Sequence, residues 1–214
     1  MRKSEQVVTK SSRNFYLGND VVDLLDGEIQ EESIHPRFDE RVFSPVERDR
    51  LLHGEDQHID RWTHWALKEA TLKAAKRHCK DIVFSPRKIL VQKLEGDSAE
   101  VFAFDKIFSA SIDYNDNYIN ATVVFDVDLA DVRSVVAAHS GRQDVSTEVR
   151  LLACQEFSTS SAIDQKACRI PLGEKIPSIH VNGVAVSCPV SLSHHGRFVA
   201  FACGLPSGPW QMER

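Results

Sequence analysis

A carboxylate and an ammonium four residues apart, Glu69 and Lys73, sit inside "RWTHWALKEATLKAAK" (residues 61–76). On a helical wheel of about 100° per residue, Trp62, Trp65, Ala66, Ala70 and Leu72 form one broad apolar arc, and both charges fall inside it. Glu followed by Lys at i+4 is the favoured orientation for a helix-surface ion pair, worth about 0.2–0.5 kcal/mol, so a solvated pair is one reading. The position within the arc supplies another. Burying charge is costly unless it is paired, hydrogen-bonded or metal-bound, and a helix that accepts that cost beside two tryptophans lines a site. Two further polar interruptions stand out: Asp20 inside the apolar "FYLGNDVVDLL" (15–25), and Ser193, His194 and His195 inside a C-terminal run of strand formers. Singly, these read as an Asn-Asp turn and a core histidine. Together, two carboxylates, a lysine and a Ser-His pair suit a phosphate-bearing ligand held through Mg²⁺. That ion prefers oxygen donors, usually one or two carboxylates completed by substrate phosphates and waters.

The elements that must carry these residues are legible in outline. Val and Leu content makes 15–25 a strand, with Gly18 permitting close backbone approach. "FSPVERDRLL" opens a helix, with Ser44 as N-cap, Pro45 at the first helical position and Glu47 three residues on. "RKILVQKL", "AEVFAFD", "KIFSASID" and "NYINATVVFDVDL" read as strands joined by the turn signals "EGDS" and "YNDN". Beyond residue 128, "ADVRSVVAAHSG" and "STEVRLLACQEFS" have helical periodicity, and the C-terminal "IPSIHVNGVAVSCPVSLSHHGRFVAFACGL" is strand-like with an Asn-Gly turn. The expectation is an α+β chain of two similar units, 1–125 and 126–214, each a small antiparallel sheet packed with helices. No repeat is evident in the sequence itself.

Composition sets the bounds. The chain has 214 residues, a formal net charge of −5, 42% hydrophobic and 27% charged residues, as expected of a soluble globular protein. The mild acidity and the lack of a Lys/Arg run argue against nucleic acid. No apolar run approaches the ~18 residues of a membrane span, and the polar N-terminus "MRKSEQVVTKSSRN" lacks the apolar core of a secretory signal. Five scattered cysteines form no CxxC pair, which points to reduced thiols in the cytoplasm.

The motifs resemble those of the 4′-phosphopantetheinyl transferase superfamily. Its Gly-x-Asp strand motif stands as "GNDVVDL" (Gly18, Asp20), and its aromatic-x-x-Lys-Glu-x-x-x-Lys helix motif as "WALKEATLK" (Trp65, Lys68, Glu69, Lys73). "VFSPVERDRLL" is similar to the family's Phe-Ser-x-x-Glu segment, with Glu47, and "VSLSHHGRFVAFA" to its Ser-x-Ser-His element. The resemblance implies transfer of 4′-phosphopantetheine from coenzyme A to a serine of an apo carrier protein, with release of 3′,5′-ADP. Asp20 and Glu69 would bind Mg²⁺, and Glu69 would take the serine proton. Lys73 would contact the phosphates with Lys68 assisting, and Ser193 and His194 would hold the 3′-phosphate of coenzyme A.

The sequence departs from the family in two places. Larger members carry a third acid two residues after the aspartate, where this chain has Val22, with Asp23 next; a water in place of that ligand is one outcome. Larger members also place the Ser-His element before the Gly-x-Asp motif, whereas here it comes last. A short trimeric type with shared sites, or a circular permutation of the two-repeat type, would explain the order. The permutation is favoured, because "LGEKIPSIHVNGVAVSCPVSLSHHGRFVAFA" resembles the first-half segment of larger members, with Lys175 as the lysine of its Gly-Lys-Pro turn, and "STEVRLLACQEF" resembles the helix before it. A monomer is then expected. The rival from another class is a non-catalytic carrier-binding relative, against which the intact Asp20, Glu69 and Lys73 set argues. No Walker loop or Gly-x-Gly-x-x-Gly fingerprint points to another nucleotide enzyme.

Overall fold

The computed structural model describes residues 15–205 apart from His78 and Lys80. The polar N-terminal segment, 1–14, lies outside the described residues. Strand β1 (Tyr16–Asp23) leads through helices α1 (Phe38–Val42), α2 (Pro45–His53) and α3 (Gln57–Lys76) into a meander of β2 (Leu90–Glu95), β3 (Ser98–Ala103), β4 (Lys106–Tyr114) and β5 (Tyr118–Phe125). Strand β5 returns beside β1, giving an antiparallel sheet of order β1-β5-β4-β3-β2. The chain then repeats the pattern with β6 (Val132–Ala138), α4 (Val145–Ser161), β7 (Cys168–Arg169), β8 (Ser178–Val181), β9 (Val184–His195) and β10 (Phe198–Gly204). The second sheet has order β6-β10-β9-β8-β7. Both halves are therefore a strand, a long helix and a four-strand meander whose last strand pairs with the first, and the expected pair of α+β units is what the chain forms.

Local chemistry explains the boundaries. Ser44 Oγ accepts from the Glu47 amide and Glu47 accepts from the Ser44 amide, closing a capping box with Pro45 at the first helical position. Asp56 caps α3 by accepting from the His58 and Ile59 amides. Asn182 and Gly183 both have positive φ, 52° and 84°, as a two-residue type I′ hairpin requires. One expectation fails: "ADVRSVVAAHSG", read as helical, holds strand β6. Val132, Val135 and Val136 are β-branched and suit a pleated surface, and the segment pairs with β10 from Val132–Gly204 to Ala138–Phe198. Reading it as a helix left the second sheet without its first strand.

Each sheet packs its helix over its own core, Trp62, Leu67, Val101, Phe108 and Ile119 in the first and Phe157, Ile179, Val190 and Phe201 in the second. Leu17, Val124 and Ala202 join the two. Gly18 lets α3 lie directly on β1: a Cβ there would stand 2.0 Å from the Ala70 carbonyl oxygen and 2.7 Å from the Ala74 nitrogen. The first residues of β5 and β10, Tyr118 and Phe198, occupy equivalent places in their own sheets, and their rings meet at 5.2 Å. With that equivalence the strand registers place Ser134 where the first half has Asn19, Val135 where it has Asp20, and Tyr114 where the second half has His194. The acid of β1 and the histidine of β9 thus have no acidic or histidine counterpart in the other repeat. No helix among the described residues is long and apolar enough to cross a membrane.

Candidate active site

Asp20 on β1 faces α3, which that strand carries across its surface. Lys73 Nζ donates to Asp20 Oδ1 at 2.7 Å and to the Asn19 carbonyl at 3.1 Å. The lysine is therefore paired across elements with Asp20 and not along its own helix with Glu69. Glu69 has no hydrogen-bonding partner among the described residues. Burial, and then the negative charge of Asp20, push its carboxyl above the usual range. Two carboxylates near enough for the charge of one to act on the other form a place for a cation. Among the described residues no group of three or more His, Cys, Asp or Glu side chains gathers to hold a metal. The donor set is two hard oxygen ligands, which fits Mg²⁺ completed by phosphate oxygens and waters and does not fit a zinc cage.

Beside this pair opens a cleft of about 300 Å³ between the two halves. Its wall carries Lys73 and Lys76 from α3, Arg77 at the C-cap of that helix, Arg150 from α4, Lys175 and His194, with Glu174 as its single acid. Burial holds the Arg77 guanidinium down to about 10, and its Nη1 donates to the Val190 carbonyl of β9. Burial and then Lys73 lower the pKa of His194, so the ring loses its proton more readily than a free imidazole. Five Lys or Arg side chains against one carboxylate make a receptor for a polyanion. Lys76, Arg77 and Arg150 were not among the expected site residues. Lys76 and Arg77 lie three and four positions beyond Lys73, on the same helical face, and that spacing is the signal that marks them. Arg150 comes from a distant helix, and no local pattern announces it.

Two expected contacts are corrected. Lys68 is fully buried. Its Nζ donates to both oxygens of Glu47, at 2.8 and 3.0 Å, and to the carbonyls of Pro86 and Ile89. Glu47 Oε1 also accepts from the Val91 amide. The pair ties α2, α3 and β2 together, and no donor of Lys68 is left for a ligand phosphate. Ser193 is buried as well: its hydroxyl accepts from Asn19 Nδ2 at 2.8 Å, which turns it away from the cleft that its neighbour His194 enters. Successive strand residues face opposite sides, so Ser193 and His194 cannot both grip one phosphate.

The same alternation removes Asp23 from the metal question. It faces away from Asp20, and it receives the Arg197 guanidinium at 2.6 and 2.8 Å and the Arg197 amide at 2.8 Å. These bonds fasten the β9–β10 turn to the end of β1, where the Asp23 amide also donates to His195 Nδ1. The Arg197 side-chain hydrogen bonds hold the Asp23 pKa down to about 2. A depressed carboxylate stabilises the fold above its unfolded pKa, and that contribution disappears as the pH falls through the folded value. Wild-type protein is therefore expected to lose stability between about pH 4 and about pH 2 in a step that Asp23→Asn lacks. Urea midpoints across that range read it, and parallel wild-type and mutant curves would contradict it.

A model of the 4′-phosphopantetheinyl transferase superfamily matches residues 16–128, which span β1, the Lys68–Glu69–Lys73 helix and the whole first sheet. Among solved structures, the holo-[acyl-carrier-protein] synthase of Thermotoga maritima is similar at 14% identity and a TM-score of 0.40, over 79% of this chain and 84% of that one. A likeness at that level carries nothing about the site. No curated protein matches the chain.

Proposed function

The chain belongs to the 4′-phosphopantetheinyl transferase superfamily, and from that premise we propose that it transfers the 4′-phosphopantetheine arm of coenzyme A to a serine of an acyl, polyketide or peptidyl carrier protein. The observation that carries this reading is the juxtaposition of an Asp20–Glu69 carboxylate pair with a cleft lined by five cations. The polyphosphate of coenzyme A is such a ligand. Lys73, Lys76, Arg77, Arg150, Lys175 and His194 would share its charge, with His194 and Lys175 nearest the 3′-phosphate. Asp20 and Glu69 would hold Mg²⁺, which when bound neutralises charge on the pyrophosphate.

In the reaction the serine oxygen forms a bond to the β-phosphorus, the bond to the departing 3′,5′-ADP breaks, and the serine proton passes to Glu69 or through a water to it. The raised pKa of Glu69 suits a base that must accept that proton. Lys73 meets the charge that grows on the leaving phosphate. All five cysteines are free, as a reducing compartment would leave them, and we place the protein in the cytoplasm.

Asp20, Glu69 and Lys73 come from the first unit, 1–125, and His194 from the second, 126–214, so one chain supplies both parts of the cleft. This supports a self-contained monomer with the order of a permuted two-repeat enzyme. The expected results are that mixing an Asp20→Ala chain with a His194→Ala chain restores no transfer, and that light scattering reports a monomer. His194→Ala should weaken coenzyme A at least about tenfold more than dephospho-coenzyme A, the loss of a charge-assisted phosphate contact being worth about 1.5–3 kcal/mol. Activity regained on mixing, or a trimer, would replace the permuted monomer with sites shared between chains.

A further inference from the structure

The catalytic acid and the cleft histidine lie on different strands of different units, and the fold must hold them to a fraction of an ångström. Asn19 precedes Asp20 on β1, and Ser193 precedes His194 on β9. Because neighbours on a strand face opposite sides, Asp20 turns toward α3 and Lys73 and His194 turns into the cleft, while Asn19 and Ser193 turn into the junction between the sheets. There Asn19 is fully buried and Ser193 nearly so. Asn19 Nδ2 donates to Ser193 Oγ at 2.8 Å, and the Asn19 amide donates to Ser191 Oγ at 2.9 Å. The Asn19 carbonyl accepts from Lys73. Its remaining polar atom, Oδ1, is buried with no partner among the described residues, so an apolar residue here would relieve a desolvation penalty as well as forfeit a bond.

From this we propose that Asn19 is a positioning residue, a polar clamp to Ser193 and Ser191 that sets the register of β1 against β9 and thereby places Asp20 and Lys73 opposite His194. The inference rests on the transferase reading, since it is coenzyme A that must touch both strands at once. Buried polar pairs of this kind fix one arrangement among several that apolar packing would tolerate, and loosening a catalytic constellation by an ångström is enough to cost rate.

A second polar contact between the two sheets supplies a control. Ser134, which the strand register places where the first half has Asn19, accepts from Asn120 Nδ2 at 3.1 Å and from Thr122 Oγ1 at 2.8 Å, both on β5 rather than on β4, the counterpart of β9. There the next residue is Val135 and the histidine's counterpart is Tyr114, so this second clamp ties the two halves together without serving a site. Removing either clamp deletes side-chain bonds between the same two sheets, and only one of them lies behind the acid and the histidine.

The experiment titrates coenzyme A with Mg²⁺ into wild-type, Asn19→Ala, Ser193→Ala and Ser134→Ala proteins by calorimetry, with kcat for carrier modification and the thermal midpoint measured on each. Asn19→Ala and Ser193→Ala are expected to weaken coenzyme A about tenfold or more and to lower kcat at saturation by a similar factor. Ser134→Ala is expected to bind and turn over within about twofold of wild type while melting lower. Wild-type binding and kcat in Asn19→Ala and Ser193→Ala, or equal functional losses in Ser134→Ala, would overturn the positioning role and leave the transferase reading intact. Wild-type protein that does not bind coenzyme A would overturn both. Wild-type protein that binds it but modifies no carrier would overturn the transfer reading alone, with the clamp then judged by the affinities.

Discussion

Glu69→Gln is expected to lower phosphopantetheine transfer by about 10³-fold, the scale of losing a positioned general base, with the fold unchanged. The carboxyl is half-buried and makes no hydrogen bond among the described residues, so its amide isostere leaves no partner stranded. What it loses is the proton acceptor and one of two oxygen donors to the cation. Asp20→Asn should act alike on rate, although it also weakens the 2.7 Å contact with Lys73. Transfer assays beside far-ultraviolet circular dichroism separate the two effects. Near-normal turnover in either variant would remove Asp20 and Glu69 from the chemistry and leave Lys73 as half of an ordinary ion pair.

Lys68→Ala is expected to destabilise the protein by about 3–5 kcal/mol, the cost of stranding one member of a buried ion pair. Against a total stability of about 5–15 kcal/mol for a typical domain, much of the variant would be unfolded or insoluble. Glu47 would be left ionised in the interior, holding the Ser44 and Val91 amides but without the ammonium that offsets its desolvation. Neutralising both partners in Lys68→Met with Glu47→Gln should recover much of the loss, because the stranded charge is gone. Urea denaturation of the single and double variants measures it. A single variant as stable as wild type would show that the pair does not hold α2, α3 and β2 together.

Much of this was legible in the sequence, and the failures have physical causes. The wheel of residues 61–76 gave α3 and its charged stripe, because helical period and burial coincide there. The capping signals at Ser44 and Pro45 gave the start of α2, and Asn182–Gly183 gave the hairpin. β6 was misread because alanines and valines at helical spacing carry no information about the strand, β10, that they pair with far along the chain, from Val132–Gly204 to Ala138–Phe198. Lys68 and Ser193 were misassigned for a related reason: each adjoins a site residue in the chain, and adjacency in a strand or helix turns a side chain to a different face. Arg77 and Arg150 meet across the cleft only after the two units dock. The two similar units were expected from the family resemblance and not from any repeat in the residues, because the duplication survives in strand order and register and not in residue identity.

The central claim is the transfer itself, and intact-protein mass spectrometry reads it directly. Purified protein is incubated with coenzyme A, Mg²⁺ and a panel of apo acyl, polyketide and peptidyl carrier proteins. The expected result is the mass of one phosphopantetheine added to at least one carrier, abolished when its acceptor serine is replaced by alanine or when Mg²⁺ is chelated. Folded protein that binds coenzyme A and Mg²⁺ yet adds no mass to any carrier would contradict the account.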